Sequence, residues 1–342
     1  WKRLLGAADP PMKELGAVLL FSAAATLLCT RARQQRHREL VAFVISLRRR
    51  PAKRAAALAR AATAGLTNVR VLDAIDGKEL GWEALNARGV RLYPGWWLPD
   101  STYRFYNRDL KWGEIGCALS HHAAWTAIVQ LGLPWAVILE DDACFMPRVD
   151  ELISDAVARL EALAAAGDVA APDLLYLARK ACWPRREANR SSIAPRGAAA
   201  GAAAGSAPRE RSIDADAVRG HAASSSPGVE IVVPAFSYKC TAYVLWNAGA
   251  RKLLASGYLS RLIPVDDLLP LLYTAHDPGP GLARPDLDAL FAGAPRLSAF
   301  SVRPTVAWER RGLSDTENSE VVSGVGGCGG DGEVAPDLQT VS

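Results

Sequence analysis

Two short apolar runs rich in β-branched residues, Val41–Leu47 and Val69–Ala74, flank one Ala-rich segment, Pro51–Ala64. Runs of this length and composition read as buried strands. The segment between them consists of good helix formers, opens on a proline and is followed by Gly65, a fitting C-terminal cap. A strand, one helix and a strand in so few residues pair the strands in parallel, with the helix crossing one face of the sheet. This commits the chain to an α/β layer architecture, a mostly parallel central sheet flanked by helices.

The alternation continues downstream. Glu114–Gln130 predicts a helix with His121, Trp125 and Ile128 on one stripe. Trp135–Leu139, Asp173–Leu177 and Tyr238–Leu245 predict strands, and Arg148–Ala166 and Asn247–Ser256 predict helices. Another helix opens at Pro264 and reaches Tyr273, and Leu297–Val302 and Thr305–Ala307 are short strands. Gly81–Asp109 is an irregular loop carrying Trp82, Trp96, Trp97, Tyr103, Phe105 and Tyr106, which either line a ligand pocket or pin the loop to the core. Residues 181–228 contain APRGAAAGAAAGSAPRERS, without hydrophobic periodicity, and are expected to be a disordered insertion. The Gly-rich residues 320–342 are expected to be a disordered tail. Residues 41–319 without the insertion make one domain of roughly 230 residues.

Composition narrows the function. Lys+Arg 40 against Asp+Glu 36 leaves a net charge of +4, and no basic stripe interleaves with aromatics, so nucleic acid is not an expected partner. Apolar residues make up 50%, enough for a sizeable core, which excludes a wholly disordered chain. The six cysteines are scattered and form no CxxC pair. Their spacing offers neither a disulfide scaffold nor a cysteine zinc site, although one or two disulfides could form in an oxidising compartment. Leu15–Thr30 is uncharged and short for a membrane span of about 20 residues. Behind Met12 and Lys13 it suits a signal peptide or, with the basic run RARQQRHR following, an anchor; a buried helix is the alternative. Residues 1–40 are therefore expected to be a signal or anchor with a basic linker, and membrane contact to be confined to them. Asn189-Arg190-Ser191 would accept a glycan inside the secretory pathway.

The strongest chemical signal is AVILEDDACF (Ala136–Phe145). Glu140, Asp141 and Asp142 follow a strand expected to be central, and open α/β sheets bind ligands beyond the carboxyl ends of their strands. Adjacent acids repel there unless a cation neutralises them. Oxygen donors suit hard cations such as Mg²⁺ or Mn²⁺, which can bridge to a diphosphate. On a solvated turn the same triplet would carry no chemistry. Asp266-Asp267, in LIPVDDLLPLLY, sits at a helix start, either as cap and dipole partner or as a base for an acceptor hydroxyl. Arg48, Arg49, Arg50 and Arg54 either clamp a diphosphate or form a solvated charge run. His121-His122 lacks the HExxH frame of zinc proteases, and a helical His beside Trp125 reads as packed or as support for the pocket. GxGxxG, GxxxxGK[ST] and GxSxG are absent, which argues against Rossmann dehydrogenases, P-loop NTPases and α/β-hydrolases.

Taken in order, VAFVISLRRRPAKR, VLDAIDGKEL, KWGEIGCALSHHAAW, LPWAVILEDDACF, DLLYLARK, FSYKCTAYVLWNAGARKLL, LIPVDDLLPLLY and GLSDTENS resemble glycosyltransferase family 25. That family holds bacterial lipooligosaccharide galactosyltransferases and animal procollagen galactosyltransferases, and LIPVDD and LSDTENS look nearer the latter. The resemblance implies a GT-A-like (Rossmann-like) nucleotide-sugar-binding domain, a UDP-galactose donor, Mn²⁺ and inversion at the anomeric carbon. It also implies a hydroxyl acceptor, on hydroxylysine of a collagen-like protein or on a glycan, and residence in the lumen of the endoplasmic reticulum or Golgi.

Carried over by position, Asp141 and Asp142 would hold the metal or diphosphate, and Glu140 would line the donor pocket. Asp266 would be the catalytic base, with Asp267 beside it. Ser46, Leu47, Arg48, Arg54 and Asp73 would touch the nucleotide. Glu114, Ser120 and His121 would line the pocket or support residues that do. Two positions depart from the family pattern: Ser46 stands for a usual Asn, and Asp267 for a usual Glu. Two rival readings stay open, a catalytically silent family member that binds a partner, and a transferase for another UDP-sugar such as glucose.

Overall fold

The computed structural model describes residues 40–189 and 229–310. The signal or anchor, most of the insertion, the glycosylation serine, LSDTENS and the tail lie outside the described residues.

Eight strands form one sheet in the order β2-β1-β3-β8-β5-β9-β7-β6. They are β1 (Val41–Ser46), β2 (Asn68–Asp73), β3 (Trp135–Glu140), β5 (Leu174–Ala181), β6 (Ala188–Asn189), β7 (Glu230–Val233), β8 (Ser237–Trp246) and β9 (Ala299–Arg303). A separate antiparallel ribbon pairs β4 (Ala143–Phe145) with β10 (Ala307–Glu309). The helices are α1 (Pro51–Thr63), α2 (Trp82–Ala87), α3 (Trp112–Gln130), α4 (Val149–Ala165), α5 (Asn247–Ala255), α6 (Val265–Leu271) and α7 (Pro285–Leu290).

As the sequence predicts, β1 pairs in parallel with β2, and α1 crosses between them. Following the pairings across the sheet, β7 and β8 run against the other six strands. The sheet is thus of mostly parallel orientation, with a reversed strand between β3 and β5. That reversal positions the site. It sets the beginning of β8, Tyr238 to Cys240, beside the carboxyl end of β3, since Leu139 pairs with Ala242.

The strands are apolar throughout because both sheet faces are covered. On β1, Val41, Phe43 and Ile45 enter one core with α3, α5 and α6. Ala42 and Val44 enter a second core with α1 and α4. β3 divides likewise, Ala136 and Ile138 against Val137 and Leu139. The predicted stripe of α3 is real, and His121, Trp125 and Ile128 are all fully buried.

Two segments carry more structure than their sequences suggest. Gly81–Asp109 contains α2 and a 3-10 turn at Pro94–Trp96. Past Ala181, where the insertion is expected to begin, the chain continues through a 3-10 turn at Pro184–Arg186 into β6. An ion pair holds it there: Arg179 grips Glu187 at 2.6 and 2.7 Å, and both side chains are almost wholly buried. Trp183 Nε1 also donates to the Asp277 carbonyl (2.6 Å). Ala/Gly composition downstream does not weaken such contacts upstream.

The loop after β2 rides directly on α3. A Cβ at Gly116 would stand 2.5 Å from the Ile75 carbonyl oxygen, and one at Gly77 would stand 2.3 Å from that of Trp112. The Ile75 amide donates to Ser120 Oγ (2.8 Å), whose hydroxyl donates to the Gly116 carbonyl (2.6 Å). Only glycine lets helix and loop approach this closely. Gly116→Ala should therefore push the loop off the helix and cost about 1–3 kcal/mol. A urea-unfolding midpoint unchanged from wild type would contradict this.

Candidate active site

A cavity of about 430 Å³ opens at the carboxyl end of β1 and β3. Its wall from β1 and α1 contributes Ser46, Arg49 and Lys53, and the β2 loop contributes Asp76 and Lys78. α3 contributes Glu114, Cys117 and His121, and β3 with its turn contributes Glu140, Asp141 and Asp142. β8 adds Tyr238, Lys239 and Cys240, α6 adds Asp266 and Asp267, and Trp96, Tyr103, Phe105 and Tyr106 close the apolar side.

The acid triplet is held from below. Asp141 is 8% exposed; its Oδ2 accepts from Ser46 Oγ (2.8 Å) and its Oδ1 meets Lys53 Nζ (2.6 Å). Arg60 of α1 donates to the carbonyls of Asp141 (2.7 Å) and Ala143 (2.9 Å), which fixes the turn. Lys53 thus provides an internal cation beside the acids. Glu140 faces α3, with Oε1 lying 3.3 Å from His121 Nε2. His121 Nδ1 meets the Tyr243 hydroxyl (2.8 Å), which also accepts from Trp125 Nε1 (2.9 Å). With Nε2 protonated and donating to Glu140, every polar atom of this chain has a partner. Burial pushes the Glu140 carboxyl up, but the hydrogen bond and charge of His121, helped by Lys53, outweigh it and hold the group below its usual range.

Asp142 is different. Its carboxyl is pushed up to about 7, first by burial and then by the Glu140 charge. Its Oδ1 is buried without a hydrogen-bond partner. An orphaned carboxylate oxygen among other acids is the donor a hard cation takes. Asp142 therefore fits a metal such as Mn²⁺. Asp141 is already engaged on both oxygens and would join only if Lys53 withdrew.

Across the cavity, the two aspartates of α6 part company. Asp266 faces Glu140, and its carboxyl is raised to about 6, chiefly by burial and then by the Glu140 charge, with a hydrogen bond from the Cys240 thiol opposing. The Asp267 carboxylate is 5% exposed and accepts from Tyr106 Oη (3.1 Å) and faces His276 Nε2 (3.2 Å). The Arg284 amide donates to His276 Nδ1 (3.2 Å), so Nε2 carries the proton and points at Asp267. Asp267 is thus tied into a buried network.

The basic residues sort equally clearly. Arg48 and Arg54 clasp Asp73 at 2.6 and 2.7 Å, and none of the three lines the cavity. Arg49 pairs with Asp76 and both line it. Glu114 lines it while bound by both Arg108 nitrogens (2.9 and 2.7 Å) and the Lys111 amide (2.7 Å). The structure brings together Ser46, Glu114, His121, Glu140, Asp141, Asp142, Asp266 and Asp267, and leaves Arg48, Arg54 and Asp73 outside. Sequence reasoning missed Lys53, Asp76 and Cys240. Lys53 had a signal, since it shares an i, i+4, i+8 stripe with Ala57 and Ala61, the buried face of α1. Cys117, Cys144, Cys182 and Cys240 are free thiols.

The pattern of "Glycosyltransferase family 25 (LPS biosynthesis protein)" matches residues 40–178, from β1 through the acid triplet into β5. The chain belongs to glycosyltransferase family 25. Inactive glycosyltransferase 25 family member 3 of Homo sapiens is 35% identical over 81% of this chain and 39% of its own length. The family 25 member of Drosophila melanogaster is 31% identical over 82% of this chain and 38% of its own. Procollagen galactosyltransferase 1 of Danio rerio is 27% identical over 74% and 34%. The family 25 chain thus spans under two-fifths of the length of these curated relatives. Among the described residues, no helix is long and apolar enough to cross a membrane.

The raised Asp266 carboxyl has a measurable consequence. The folded state binds its proton more tightly than the unfolded chain does, so Asp266 costs stability as pH rises from about 4 through about 6. In EDTA, Asp266→Asn should raise Tm at pH 8, and the gain should fade towards pH 4. An equal gain at both pH values would refute the assignment.

Proposed function

We propose that this family 25 domain is an inverting galactosyltransferase that moves galactose from UDP-galactose to a hydroxyl acceptor. The observation that carries the reading is the opposition across one cavity of an acid triplet with an orphaned Asp142 oxygen and a separate, poised carboxylate, Asp266. Mn²⁺ held by Asp142, with Asp141, would neutralise charge on the diphosphate as it leaves. Arg49 and Lys53, on the same wall, attract the diphosphate and orient it. Ser46 and Lys53 keep Asp141 ionised and aimed. Glu140, fixed by His121, accepts from hydroxyls of the donor sugar. The aromatic wall of Trp96, Tyr103, Phe105 and Tyr106 suits the apolar face of the acceptor. A carboxyl titrating near 6 is ionised at neutral pH yet basic enough to take the acceptor hydroxyl's proton as that oxygen attacks the anomeric carbon. Asp267 acts by holding α6 in place. The acceptor we favour is hydroxylysine of a collagen-like protein, after the name of the zebrafish relative, in the lumen of the endoplasmic reticulum or Golgi.

A second reading has its own support. The human and mouse relatives at 35% and 34% identity carry the word inactive in their names, and Lys53 already neutralises Asp141. On that reading the cavity is a binding pocket without turnover.

A donor panel separates them. The full chain with Mn²⁺ is offered UDP-galactose, UDP-glucose or UDP-N-acetylglucosamine, with and without a hydroxylysine-containing collagen peptide. Peptide-stimulated UDP release from UDP-galactose is expected, with the acidic limb of the rate near pH 6. Asp266→Asn should lower kcat roughly 10²–10⁴-fold with the donor KM little changed. UDP binding without release, from any donor, would favour the silent pocket.

A further inference from the structure

Beneath the donor wall lies a second cluster that the transfer reading does not use. Cys117 and His121, one turn apart on α3, converge with Glu140 of β3, and their ligand atoms all lie within 4.8 Å of one another. Cys240 of β8 completes the group: its Sγ lies 3.5 Å from His121 Nε2 and 3.7 Å from Glu140 Oε1. Cys117 Sγ lies 3.8 Å from the same carboxylate oxygen, and His121 Nε2 lies 3.3 Å from it.

We propose that Cys117, His121, Glu140 and Cys240 form a zinc site at the floor of the cavity, distinct from the oxygen site at Asp142. Zinc lies about 2.3 Å from thiolate sulfur and about 2.0–2.2 Å from imidazole nitrogen or carboxylate oxygen, and its four ligands are tetrahedral. The corners of that tetrahedron are then about 3.3–3.8 Å apart. The four separations here fall on that scale. The donor set selects the metal as well, since two sulfurs and an imidazole suit a borderline-soft ion and serve Mn²⁺ or Mg²⁺ poorly. The histidine carries the support a metal ligand needs, its far nitrogen anchored on Tyr243 and Tyr243 on Trp125. All four residues line the cavity, so the ion has an entry path.

Without an ion, burial holds both thiols protonated, as do the nearby carboxylates. Binding breaks the two S–H bonds, forms two metal–thiolate bonds and passes two protons to the buffer. The filled site ties α3, β3 and β8 together at the point where Glu140 is aimed. The proposal goes beyond the transferase reading, and its test needs no donor, acceptor or turnover.

The probe is Co²⁺ added to the reduced, EDTA-stripped full chain. One equivalent should give the intense visible absorption of tetrahedral cobalt and a near-ultraviolet thiolate-to-cobalt band. Zn²⁺ should abolish both and raise Tm. Cys117→Ser and Cys240→Ser should each weaken the charge-transfer band and lower affinity at least about tenfold. Asp142→Asn and Cys144→Ser should leave the spectrum unchanged. Folded wild-type protein without a thiolate band would overturn the proposal. So would a band that survives both serine variants, or one lost in Asp142→Asn.

Discussion

Carboxylate repulsion at the carboxyl end of β3 organises this molecule. Glu140, Asp141 and Asp142 are consecutive, and Asp266 faces them from α6. So much negative charge in a partly desolvated cavity must be balanced from within the fold. Lys53 reaches Asp141 from α1, His121 reaches Glu140 from α3, and Ser46 completes the Asp141 shell. What these groups do not balance appears as the raised carboxyls of Asp142 and Asp266. A cation beside Asp142 would do the neutralising that a proton does there near pH 7.

Family 25 membership alone does not decide between turnover and silence, since its members' names include both inactive proteins and a procollagen galactosyltransferase. The decision falls on Asp142 and Asp266. Asp142 retains an unsatisfied oxygen, and Asp266 retains the basicity of a general base. Asp267, its neighbour in sequence, is consumed by Tyr106 and His276 and works through the position of α6.

Much of the site was legible because strand-end chemistry is local. An apolar run followed by three acids announces carboxylates at a sheet edge whatever the partner strands. The basic side was read less well. Of the cluster after β1, Arg48 and Arg54 turn to Asp73, while Arg49 and Lys53 face the cavity. Which way each turns depends on the rotational phase of α1, which Ala57 and Ala61 set by packing on the sheet. The Ala57 and Ala61 stripe contained that information, but the density of arginines drew attention from it. The reach of structure to Asn189 escaped notice because the Arg179–Glu187 pair is a contact between residues, not a periodicity.

By itself, the sequence determined the α/β layering, the parallel β1–α1–β2 unit, the buried stripe of α3 and the acids at the end of β3. Each is a repeat or a boundary carried by adjacent residues. Only the tertiary structure decided that β8 runs backwards between β3 and β5, and hence that Cys240 meets His121 across 119 positions. No spacing rule for cysteines could show that group, because its members share no segment. Strand order and direction are set by how whole faces pack, and convergence of distant side chains follows from them alone.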